Sequence, residues 1–171
     1  MSTEKNKKIL PYEIINIFAV MVLGILFYFI YEWSGMNFYV GLFAPINHSL
    51  WENLKLLLFP ILLYSIFEYF LIGKYYVNFV FAKISGFLSG LLFMVIVYYS
   101  YTGIIGTRLI WADICVFILS IVVSIFIFWN MIKTPKKNLP IWANFFILIG
   151  LICIFIYFSI NIPNIAMFHS P

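Results

Sequence analysis

An all-α, polytopic membrane helix bundle is the fold class this sequence predicts, and three observations predict it. Hydrophobic residues fill 65% of the 171 positions and charged residues only 9%, with a mean hydropathy of +1.08. Such a chain lacks the polar surface to cover a water-soluble domain. The apolar residues fall into five runs, each near the roughly 20 residues a helix needs to cross the hydrocarbon layer. The basic residues stand in short groups between those runs. Despite a net charge of +4 they form no continuous patch, so they read as topology signals and not as a nucleic-acid surface.

The first span is expected at 12–33. Lys5, Lys7 and Lys8 ahead of it resemble the start of a signal peptide, but the run is too long and no small-x-small cleavage site follows, so it reads as an uncleaved span. The second is expected at 54–72, kinked where Pro60 releases a carbonyl. The third, at 79–99, carries Gly86-x-x-x-Gly90 with Ser85 and Ser89, small residues that let helix backbones approach. Along the fourth, at 109–132, Asp113, Ser120 and Ser124 form a polar stripe at helical spacing that should face the interior. The fifth is expected at 141–162. Pro135 and Pro140 bracket Lys136-Lys137-Asn138 in a short turn, which makes the fourth and fifth spans antiparallel neighbours. Cys115 and Cys153 fall inside apolar runs and read as small core residues, not as disulfide partners. The whole chain, 1–171, reads as one membrane domain.

Orientation follows from the cations. Lys5, Lys7, Lys8, Lys74, Lys83, Lys133, Lys136 and Lys137 fall on one side and leave Lys55 and Arg108 for the other. That places the N-terminus in the cytoplasm and the C-terminus outside, in a multi-pass protein of the cell membrane. Tryptophan prefers the headgroup level, and Trp33, Trp51 and Trp111 mark outer ends while Trp129 and Trp142 mark inner ones.

Scarce polar groups inside such a chain need individual explanations. Ser49-Leu-Trp-Glu52 fits a capping box, in which hydroxyl and carboxylate satisfy orphaned N–H groups at a helix start. His48 and Glu52 are four apart, which puts both on one face as metal ligands if the helix begins at Asn47. If it begins at Ser49, His48 lies ahead of the helix and is a solvated or hydrogen-bonded histidine. The topology gathers Glu32, His48, Glu52, Asp113 and His169 near the outer face. Candidate ligand-binding residues are therefore Glu32, Asn47, His48, Glu52, Lys55 and Asp113. Candidate ligands for a divalent metal such as zinc are His48, Glu52, Asp113 and His169.

A carboxylate at Asp113 is costly in lipid unless paired, protonated or wetted. Lys55 is the expected partner, for Asp113, Glu32 or Glu52, whereas Arg108 is expected to snorkel to headgroups. Glu13 and Glu68 lie toward the inner side, within reach of Lys8, Lys74 and Lys83, and are read as neutralised or snorkelling, with no site there. No Walker-type loop, Gly-x-Ser-x-Gly elbow, His-Glu-x-x-His or Cys-x-x-Cys is present.

The strings Tyr31-Glu-Trp-Ser-Gly35 and Ala44-Pro-Ile-Asn-His-Ser-Leu-Trp-Glu-Asn-Leu-Lys55 resemble a family of small bacterial integral membrane proteins known only as a domain of unknown function. That family's hallmark runs Asn-Glu-Ser-x-Trp-Glu-His-Leu-Lys. The likeness extends through Glu68-Tyr69, Asn78-Phe79, Tyr101-Thr102 and Asp113-Ile114. Glu32, Glu52, Lys55 and Asp113 match the pattern. His48 stands where the family has glutamate, Asn53 where it has histidine, and Tyr28 where a first-span histidine is usual. The resemblance implies a membrane protein without an established activity.

Three classes of function stay open. One is a polar pocket for an ion, lipid headgroup or small solute. Another is a metal-dependent hydrolase acting on lipid, with Glu32 as base and the four metal candidates as ligands. The third is a structural or accessory subunit, for which Asp113→Asn with Lys55→Met would leave behaviour unchanged. Expected partners are membrane lipid and a second copy or another membrane protein, with no nucleic acid.

Overall fold

The computed structural model describes residues 2–134 and 139–168. Among these the chain forms six α-helices and no strand: α1 (Ser2–Trp33), α2 (Phe38–Gly41), α3 (Leu50–Leu71), α4 (Phe79–Ile105), α5 (Ile110–Ile132) and α6 (Ile141–Ile160). Short 3-10 turns lie at Gly73–Tyr75 and Ala166–Phe168. Five helices are long and apolar enough to cross a membrane, over Ile9–Trp33, Leu50–Leu71, Phe79–Ile105, Ile110–Ile132 and Ile141–Ile160. Pro135, Lys136, Lys137 and Asn138, expected as the turn before α6, and His169 lie outside the described residues.

Where the helix ends differ from expectation, local hydrogen bonds account for it. α3 begins at Leu50, ahead of the expected span at 54 but where the Ser49 capping motif puts a helix start, since the Ser49 hydroxyl accepts from the Glu52 N–H at 3.3 Å. α4 continues past position 99. The Ser100 and Thr102 hydroxyls donate to the Ile96 and Tyr98 carbonyls, both at 2.7 Å, so these polar residues are satisfied inside the helix. Gly106, with φ 79°, then ends it in the left-handed region. α3 runs unbroken from Leu50 to Leu71 with Pro60 buried inside it.

Successive long helices alternate in direction. One end of the bundle therefore gathers the close of α1, α2, the start of α3, the α4–α5 loop and the Ala166–Phe168 turn, and is called the loop end below. The opposite end carries Lys74 and Lys133 and is called the lysine end.

The α4–α5 contact is the most extensive in the bundle, and glycine makes it possible. A Cβ added at Gly86 would stand 2.6 Å from the Ser124 carbonyl oxygen, and one at Gly90 would stand 2.8 Å from that of Ser120. The two backbones are thus in direct contact, with Ser120 and Ser124 buried between them, as the small-residue face and the serine stripe predict.

α6 corrects one expectation. It packs on α4 and α3 and hardly touches α5, its neighbour in sequence. α6 instead offers Phe155 and Phe158 to Trp51 of α3. Trp51 is sandwiched by Phe155, centroids 4.5 Å apart, and by Phe168 at 4.8 Å. Trp51 is accordingly a buried packing residue and not a tryptophan on the bundle surface, whereas Trp33 and Trp111 are exposed. Cys115 and Cys153 are also corrected, since both are exposed on the outward faces of α5 and α6. A thiol is apolar enough to stand among the isoleucines and phenylalanines exposed there.

Candidate functional site

The ionisable groups of the loop end separate into two assemblies. The first joins the connection after α1 to the start of α3. Lys55 is fully buried, and its Nζ donates to Glu52 Oε2 at 2.6 Å and to the Gly41 carbonyl at 2.9 Å. Glu52 Oε2 also accepts from the Ile46 N–H at 3.0 Å. Glu52 thus makes only half of the predicted capping box. Its carboxylate is drawn to the ammonium, and the Ser49 N–H is satisfied instead by Asn47 Oδ1 at 2.8 Å. These bonds pin the 41–47 loop to α3, and Asn47 and Glu52 serve that purpose.

The second assembly surrounds Asp113 on the first turn of α5. Its Oδ1 accepts from the Tyr101 hydroxyl, and its Oδ2 accepts from Arg108 Nε. Arg108 Nη1 donates in turn to the His48 carbonyl. This overturns one expectation and decides another. Arg108 does not snorkel outward but closes on Asp113, and of the three acids within reach of Lys55 it is Glu52 that pairs with it. The α4–α5 loop is short, so Arg108 is held within reach of a carboxylate five positions further on, while Lys55 points into the loop behind α3.

His48 lies ahead of α3, because that helix starts only at Leu50. The shared helical face with Glu52 therefore does not form. Its Nδ1 is 3.3 Å from the Tyr28 hydroxyl, and the two rings stack with centroids 5.8 Å apart. Glu32 is exposed on the last turn of α1. Among the described residues no three His, Cys, Asp or Glu side chains gather as a metal would require, so Glu52 and Asp113 stand in separate assemblies.

A cleft of about 940 Å³ opens beside the second assembly, between α1 and α5. Its polar end is made by Tyr28, His48, Asn53, Thr107, Arg108 and Asp113. Toward the middle of the bundle its walls become wholly apolar, with Ile25 and Phe29 on α1 facing Ile114 and Phe117 on α5, over Leu56 and Met94. Gly24 opens its depth. A Cβ there would fall 2.8 Å from the tip of the Phe117 ring, so the glycine lets that ring settle against α1. Of the six candidate ligand-binding residues, His48 and Asp113 line the cleft and Glu32, Asn47, Glu52 and Lys55 do not. Tyr28 and Asn53 also line it. Arg108 and Tyr101 were not singled out as site residues. The sequence signal for Arg108 was its closeness to Asp113, a cation and an anion within one loop and turn.

Of the cations that the sequence offers to Glu13 and Glu68, Lys83 is the one that neutralises them, in a buried ionic cluster at the lysine end where no site was expected. Lys83 Nζ stands 2.5 Å from Glu13 Oε1 and 2.6 Å from Glu68 Oε2. Both glutamates are buried, so they are neither snorkelling nor served by Lys74, which is exposed.

The profile of a family of unknown function, DUF6512, matches residues 1–171. The chain belongs to the DUF6512 family. No curated protein and no solved structure matches it. For this DUF6512 chain the geometry of the cleft is consequently the ground on which a function can be argued.

Proposed function

We propose that this DUF6512 protein is a multi-pass protein of the cell membrane that binds a membrane lipid in the α1–α5 cleft. The observation that carries the reading is the cleft's division into a short polar end and a long apolar trough, which is the plan of an amphiphile. A headgroup would meet Arg108, His48, Tyr28 and Asn53. Arg108 still has its Nη2 donors free among the described residues, and Asp113 balances its charge, so a headgroup with acceptors and little net charge is favoured. An acyl chain would lie along Ile25, Phe29, Ile114 and Phe117. The outward apolar faces of all five long helices support immersion in lipid, from which such a ligand can enter sideways.

The clustering of lysines at one end supports an N-terminus in the cytoplasm and a cleft on the outer leaflet. The resemblance of the Asn47–Lys55 segment to the hallmark of small bacterial membrane proteins supports a bacterial cell membrane. Membrane-impermeant and diacyl probes test the reading together. A photoactivatable phospholipid incorporated in vesicles with the full chain should label α1 and α5 within Ile25–Phe29 and Ile114–Phe117. Labelling spread evenly over the outward faces of all helices would contradict a built site.

A further inference from the structure

Glu13 of α1, Glu68 of α3 and Lys83 of α4 form a closed cluster in which two carboxylates meet one ammonium. The glutamates are each 1% exposed and the lysine 6%. All three lie in helices long and apolar enough to cross a membrane. With every group ionised the cluster would hold an uncompensated negative charge away from water, an arrangement that buried sites avoid by protonation or by binding a cation.

The hydrogen bonds distinguish the two acids. Glu13 is satisfied at both oxygens, since Oε1 takes Lys83 Nζ and Oε2 takes the Asn16 amide at 3.0 Å. Glu68 is not. Its Oε2 faces Lys83, but its Oε1 has no donor among the described residues and is shut off from solvent. From α3 the Tyr64 hydroxyl is committed to the Tyr12 carbonyl of α1 at 2.6 Å. From α5 the cluster meets the Phe128 ring, 4.0 Å from Lys83 Nζ, which stabilises the cation and supplies no donor. An unpartnered, buried carboxylate oxygen beside an excess negative charge is where a proton belongs.

We infer that this cluster is a proton-binding site, in which Glu68 carries an exchangeable proton on Oε1 while Glu13 and Lys83 remain an ion pair. Protonation makes the cluster neutral. Loss of the proton would leave Glu13 and Glu68 repelling each other across one lysine head, between three helices that the cluster otherwise ties together. The site is therefore suited to link protonation to the packing of α3 against α1 and α4, independently of whether the distant cleft holds lipid.

Infrared difference spectroscopy of the full chain in lipid nanodiscs tests this. At neutral pH the spectrum should show the C=O stretch of a protonated carboxyl in a dry environment. Glu68→Gln should remove that band and keep the fold, because the amide is the neutral isostere of the protonated acid. Glu13→Gln, which removes the ion-pair partner, should leave Lys83 to Glu68 and abolish the band as Glu68 ionises. A band that survives Glu68→Gln, or no band at neutral pH in the unaltered chain, overturns the proposal. So does a sodium-dependent rise in melting temperature that Glu68→Gln abolishes when no carboxyl band is present, since the occupant is then a metal cation.

Discussion

Arg108 and Asp113 close a loop on themselves: the guanidinium ahead of α5 bonds the carboxylate on that helix's first turn and reaches across to the His48 carbonyl. One side chain thereby joins the α4–α5 loop to the connection before α3 and builds the polar end of the cleft. Arg108→Ala should destabilise the fold by about 1–3 kcal/mol, the scale of a charge-assisted hydrogen bond that leaves its partner half-buried. Thermal unfolding in detergent measures it. Asp113→Asn combined with Arg108→Gln should recover much of the loss, and an Arg108→Ala protein as stable as the original would show the pair to be ornamental.

The Glu52–Lys55 pair lies deeper and should cost more to break. Lys55→Met leaves the Glu52 carboxylate buried without its cation, a change that typically costs about 3–5 kcal/mol. Adding Glu52→Gln should restore most of that stability, while adding Asp113→Asn should not, because Lys55 has no contact with Asp113. Comparison of the two double variants by denaturation checks the pairing directly.

Gly86→Ala should loosen the α4–α5 contact. The added methyl would meet the Ser124 carbonyl oxygen at 2.6 Å, and backbone cannot move aside as a side chain can. A loss of about 1–3 kcal/mol is expected from such overpacking. Gly103→Ala is the control, since nothing lies within 4 Å of its added Cβ, and it should leave the melting temperature unchanged or raise it slightly.

The proposed orientation predicts which end is accessible from outside. In a chain with Cys115 and Cys153 replaced by serine, a cysteine at Thr107 should react with a membrane-impermeant maleimide in intact cells. One at Lys74 should react only after lysis. The reverse pattern would invert the bundle.

The five apolar helices were legible because a run of roughly 20 apolar residues has few other physical uses. Their ends were less so, since Ser100 and Thr102 look like loop residues until their hydroxyls are seen bonded back into α4. Gly86 and Gly90 announced a close contact and met α5 as small residues should. Pairing of charges was the weakest part. Lys55 could reach several acids on paper, and the choice of Glu52 depends on where the 41–47 loop folds back. Glu13, Glu68 and Lys83 are far apart in sequence and come together only through the packing of α1, α3 and α4. Each nevertheless lies inside an apolar run near the same end, a signal that three ionisable residues in three spans were seeking one another.

Native mass spectrometry of the full chain released from lipid nanodiscs tests the lipid-binding cleft most directly. The account predicts that one lipid stays bound to the unaltered protein after detergent and annular lipid are stripped. Ile25→Trp, which fills the trough from its outward side, should abolish that adduct without lowering the melting temperature. An adduct retained equally by the Ile25→Trp protein, or none retained by the unaltered chain, would contradict it.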